Sequence, residues 1–150
     1  MLDYSILNDQ ILIGEFPLEK DLLFLRNDHN VTAILNLTYR SGTDNDSLKT
    51  YGQRLGLVMT QLGLGGHDDV ERLTAAVNLL KQLLEDGKKV YIHCVHGQIR
   101  TPLVALGYLT VYGGMDPVIA LALIQKVRPS ASPDLDTFNR YYRIHHQKIQ

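Results

Sequence analysis

The stretch that decides the fold reads Lys89-Val90-Tyr91-Ile92-His93-Cys94-Val95-His96-Gly97-Gln98-Ile99-Arg100-Thr101. Lys89 to His93 is β-branched and aromatic, as a buried strand is. Gly97 punctuates a short loop, and the small, apolar run from about Thr101 to Tyr112 predicts a helix that breaks at Gly113-Gly114. Strand, tight loop and helix in that order form the repeating unit of an α/β fold. Such folds bind their ligands outside the carboxyl ends of the strands.

Working outward, the same alternation continues. Upstream, Gln10 to Gly14 reads as a strand, paired with Tyr4 to Leu7 across an Asn8-Asp9 turn, and Glu19 to Asp28 as a short helix. Thr32 to Leu37 is a near-continuous apolar run suited to a strand covered on both faces. A polar loop over 40–45, a helix from about Ser47 to Leu55 and a strand over Leu57 to Leu62 follow. Gly63, Gly65 and Gly66 then mark a flexible connection. The strongest helical periodicity runs from Asp68 or Asp69 to about Glu85, through Val70, Leu73, Ala76, Val77, Leu80 and Leu84, with Gly87 as its stop. Downstream, helices are expected over 116–127 and 133–148. No repeat, low-complexity tract or linker interrupts the chain. The expectation is one domain over residues 1–150, a central, mostly parallel sheet flanked by helices.

The decisive loop carries chemistry as well as topology. A helix amino terminus offers unpaired N–H groups and a partial positive charge. A loop wound about one point aims the amides of Val95, His96, Gly97, Gln98, Ile99 and Arg100 at that point, as backbone nests do. Gly97 allows the curl, and the planar fork of Arg100 holds two phosphoryl oxygens at once. The same field depresses the pKa of Cys94 and makes it a thiolate nucleophile at neutral pH. The Thr101 hydroxyl is placed to donate to that sulfur. The rival reading, a metal held by His93, Cys94 and His96 with His67 or His145-His146, places a cation beside Arg100 and is set aside.

His93, Cys94, Gly97, Arg100 and Thr101, at these spacings, resemble the HCxxGxxR[ST] signature of cysteine-based protein tyrosine and dual-specificity phosphatases. The run from Arg128 to Pro133, followed by Phe138, is similar to the Arg-Pro segment near the end of dual-specificity domains. The resemblance implies hydrolysis of phosphate monoesters through a phosphocysteine on Cys94, with a phosphorylated protein as substrate and no metal or organic cofactor. The opening, Tyr4 to Gly14 with Pro17, together with Ile34 to Leu37, is similar to plant glucan phosphatases. A phosphoglucan is therefore an alternative substrate. The chain has no Trp to stack on sugar rings; Tyr39, Tyr51 or Tyr108 would have to serve. His96-Gly97 after Cys94-Val95 also resembles capping-type triphosphatases, which adds an RNA 5′-phosphate. A non-catalytic phosphate-binding module is the reading from a different class.

That last reading survives because of the acid. The family carries an Asp about thirty residues before its cysteine, and here that position falls near Leu62 to Gly65, without a carboxylate. The nearest candidates are Asp68 and Asp69. Both also suit helix capping, Asp68 through a capping box with Glu71. Asp68 is the candidate acid, next to the glycine-rich segment that would let it reach the site, with His67 as a weaker donor.

The formal net charge of −1 gives no global attraction to nucleic acid or membrane. No apolar run reaches membrane-spanning length and no basic leader opens the chain. The single cysteine rules out an internal disulfide and fits a reducing, cytoplasmic compartment.

Overall fold

Val90, Tyr91, Ile92 and His93 are all buried, so the strand they form has no solvent-facing side and belongs in the middle of a sheet. The computed structural model, which describes residues 1–65 and 69–149, places it there. Strands β1 (Tyr4–Ile6), β2 (Ile11–Gly14), β3 (Ala33–Asn36), β4 (Val58–Gln61) and β5 (Val90–His93) form one sheet in the order β1-β2-β5-β3-β4. Only the β1–β2 pair is antiparallel. The registers Gly14↔His93, Asn36↔His93 and Asn36↔Gln61 align the last residues of the four parallel strands along one edge.

Alternate strand residues serve two cores, as the two-residue period requires. Ile11, Ile13, Leu35, Val90 and Ile92 pack with side chains of α3 (Val70–Glu85), α4 (Arg100–Val111), α5 (Pro117–Val127) and α6 (Leu135–Ile149). Leu12, Ile34 and Tyr91 face the other way, onto Leu22 and Leu25 of α1 (Glu19–His29) and Leu48 of α2 (Thr43–Arg54). The mostly parallel α/β sheet expected from the sequence is the one observed.

Element ends follow local chemistry. Gly87, at φ 82°, closes α3 while the Lys88 amide donates to the Leu83 carbonyl at 3.0 Å. Asp116 caps α5 by accepting from the amides of Val118 and Ile119. Helix α2 starts earlier than Ser47, because Gly42 at φ 101° turns the chain first. Asp44 and Asp46 thus lie in its first turn, where the helix dipole favours them. Among the described residues, no helix is long and apolar enough to cross a membrane.

Candidate active site

Residues 94–99 leave β5 and enter α4, and the loop they form is held from outside. The Val95 carbonyl accepts from the Phe16 amide at 3.0 Å, and the Gln98 carbonyl from the Ser132 amide at 2.6 Å. The His96 and Gly97 carbonyls accept from the Arg128 guanidinium at 2.8 and 2.7 Å. Four successive carbonyls are therefore turned outward. The amides of Val95, His96, Gln98 and Ile99 donate to no acceptor among the described residues, so the inner side of the loop is a ring of unpaired donors. Such a ring is suited to an anion. Gly97 is required for the shape: it sits at φ 70°, and a Cβ there would land on the Gly14 carbonyl.

Cys94 lies at the centre of this loop, 3% exposed, and accepts from the Gly97 amide at 3.3 Å. Burial by itself pushes a thiol up. The Thr101 hydroxyl and amide, the Gly97 amide and the Arg100 guanidinium outweigh it, and the Cys94 thiol lies below its ordinary value. The Thr101 hydroxyl is fully buried and has no oxygen or nitrogen partner among the described residues. The sulfur is thus the acceptor left to it. The partly exposed Arg100 begins α4 and carries its charge toward Cys94 and His93.

His93 closes the back of the site. Its Nδ1 meets the Cys94 carbonyl at 3.1 Å and its ring lies edge-on to Phe16, centroids 4.7 Å apart. Complete burial holds its pKa down to about 4, with the positive charges of Arg40 and Arg100 adding to the effect. His93 is therefore neutral at physiological pH. With its Nε2 shielded from solvent and unpaired, it is a packing group beside the nucleophile.

The proposed acid, Asp68, lies outside the described residues, as do Gly66 and His67. The described residues on either side of them are anchored. Leu64 is fully buried and its amide donates to Leu37. Gly63 lies against the Tyr39 ring with no room for a Cβ, and its carbonyl accepts from Arg72 Nε. Asp69 is the N-cap of α3: it accepts from the Arg72 amide at 3.3 Å and from the Gly65 amide at 3.1 Å. Its carboxylate is thus engaged in ordering the turn.

Sequence reasoning reached every residue of the loop but missed its supports. Arg128, which opens the Arg-Pro segment, is 2% exposed and also reaches Asp3 and Ser5, so it orders the loop from a buried position. Gly14 lies so close to Asp3 and Tyr91 that only glycine fits, and Tyr91 donates to the Glu15 carbonyl at 2.6 Å. An X-Gly pair at a strand end was the only signal for Gly14. For Arg128 it was the Arg-Pro segment.

Residues 16–144 match the family model of the dual specificity phosphatase catalytic domain. The chain is 27% identical, over 134 residues, to dual specificity protein phosphatase 19 of Mus musculus, a match covering 89% of this chain and 58% of that protein. The chain thus spans little more than half of that relative. Among solved structures it is similar to PTPMT1 (TM-score 0.80, 21% identity, 97% of this chain and 95% of that one). It is also similar to Tk-PTP in its active form (TM-score 0.78, 20% identity, 98% of each chain).

Proposed function

The chain belongs to the dual specificity phosphatase catalytic-domain family, and from that premise we propose that it dephosphorylates phosphoproteins, phosphotyrosine included, through a phosphocysteine on Cys94. The observation that carries this reading is the lowered thiol pKa of Cys94 inside a ring of unpaired amides. The buried sulfur is made easier to ionise where a phosphoryl group would meet it. The sulfur attacks phosphorus, an S–P bond forms, and the P–O bond to the leaving group breaks. Arg100 and the unpaired loop amides hold the equatorial oxygens, where charge stabilisation matters most, while the Gly97 and Thr101 amides face the sulfur. Asp68 is the proposed donor of a proton to the departing oxygen. It then takes a proton from the water that breaks the S–P bond and releases inorganic phosphate.

This chemistry needs no metal or organic cofactor. Its dependence on a free thiol suits a reducing, cytoplasmic compartment, and the whole of residues 1–150 is read as one catalytic domain. A phosphoglucan or RNA 5′-phosphate substrate has only a local sequence likeness behind it. The test is turnover of p-nitrophenyl phosphate in EDTA by wild type and Cys94→Ser. Metal-independent activity that vanishes in Cys94→Ser is the expected result. Tight vanadate binding without turnover in wild type would instead mark a phosphate-binding module.

A further inference from the structure

A second recognition element adjoins the phosphate loop. Phe16, whose amide is bonded to Val95 of the loop, carries the Arg40 guanidinium over its ring at 4.6 Å. Arg40 does not hang freely. Gln61, the last residue of β4, donates through Nε2 to the carbonyls of both Thr38 and Arg40, at 3.0 and 2.6 Å. Asn36, the last residue of β3, accepts from the Thr38 amide and hydroxyl at 2.9 and 2.8 Å. The strand ends that build the site therefore also fix the backbone of Arg40, while its side chain stays exposed. No carboxylate among the described residues forms an ion pair with it. Stacking on Phe16 leaves the edge of the guanidinium, with its N–H groups, open to a ligand.

Phe16 and Arg40 line an open cleft of about 580 Å³ with Pro17 and Leu18, the latter 60% exposed. Glu19 and Asp44 line it too. Of these three charged groups Arg40 is the one stacked on Phe16, whose amide is bonded to the phosphate loop. The positive end of the cleft is the end next to the phosphate loop. Resting on the phosphatase reading above, we infer that Arg40, stacked on Phe16, selects phosphotyrosine peptides with an acidic residue flanking the phosphoresidue, whose carboxylate meets the guanidinium edge while its stem packs on Phe16, Pro17 and Leu18. Glu19 and Asp44 repel a carboxylate placed further along, which confines the preference to the flanking position.

The test compares three phosphotyrosine peptides with Glu, Gln or Lys beside the phosphoresidue, each rate divided by the same enzyme's rate on p-nitrophenyl phosphate. Wild type is expected to favour Glu over Gln by up to about fivefold, the scale of one exposed charge pair. The preference shrinks as salt rises. Arg40→Gln abolishes it, and Arg40→Glu turns it into a preference for Lys. Equal rates on all three peptides in wild type, or a Glu preference that persists in Arg40→Glu, overturns the inference while leaving the phosphatase reading intact. No turnover of either p-nitrophenyl phosphate or peptide by wild type overturns both.

Discussion

Burial at 3% exposure ought to make a thiol harder to ionise, yet Cys94 is easier to ionise than a free cysteine. The opposing donors are few and nameable, so each can be removed in turn. Thr101→Val keeps the shape and deletes the hydroxyl that faces the sulfur. Because that hydroxyl favours the thiolate, its loss moves the Cys94 pKa up. The acid limb of kcat/KM and the pH midpoint of iodoacetamide labelling must then both shift to higher pH. An unmoved midpoint would mean that the Gly97 and Thr101 amides and Arg100 suffice. The neighbouring His93 titrates in the opposite sense. Its pKa falls from about 6.5 when unfolded to about 4 in the fold, so between those values the unfolded chain binds the extra proton. Stability is full above about pH 6.5 and declines as pH drops toward 4, by up to about 3 kcal/mol. Urea unfolding at pH 7 and pH 4.5 measures this decline, and His93→Gln should flatten the part of the slope that this ring contributes.

Element boundaries were legible wherever one residue type has one physical outcome. Val90 to Ile92 allowed only a buried strand, the spacing of Val70 to Leu84 only an amphipathic helix, and Gly87 only a left-handed stop. Cys94, Gly97, Arg100 and Thr101 were legible because strand, curl and helix are all local. The start of α3 was ambiguous, since Asp68 and Asp69 are chemically equal as caps. The turn is decided by Asp69, whose two oxygens take the Arg72 and Gly65 amides. Asp69→Ala should therefore cost about 1 kcal/mol of stability with little loss of turnover. Asp68→Asn should lower kcat/KM by about 10²–10⁴ on alkyl phosphates, and by less on p-nitrophenyl phosphate, whose leaving group needs little protonation. If Asp69→Ala loses activity in that pattern and Asp68→Asn does not, the two assignments exchange.

At the scale of the whole molecule, the phosphate loop is held by groups far from it in sequence. Arg128 lies 31 residues beyond Gly97 and 125 beyond Asp3, and it links both to the end of α5. The Arg-Pro segment marks the residue, but no local pattern could reveal these partners. A buried arginine that bonds two backbone carbonyls, a serine hydroxyl and a carboxylate 125 residues away has no local periodicity or nearby charge to betray it. Its role is to keep the His96 and Gly97 carbonyls facing outward, and thereby the loop amides facing in. Lysine would keep the charge but cannot bond two carbonyls with one planar fork. Arg128→Lys should leave the fold intact by circular dichroism yet reduce kcat/KM by about a hundredfold, the penalty of a small misplacement at the reacting centre. Affinity for inorganic phosphate should fall with it. The Asp3 end of the link is different: its carboxylate is 63% exposed, and the guanidinium keeps Ser5 and both carbonyls without it. Asp3→Asn should cost about 0–1 kcal/mol of stability and leave phosphate affinity unchanged. Equal losses in the two variants would show that the amino-terminal strand, and not the fork on the carbonyls, sets the shape of the loop.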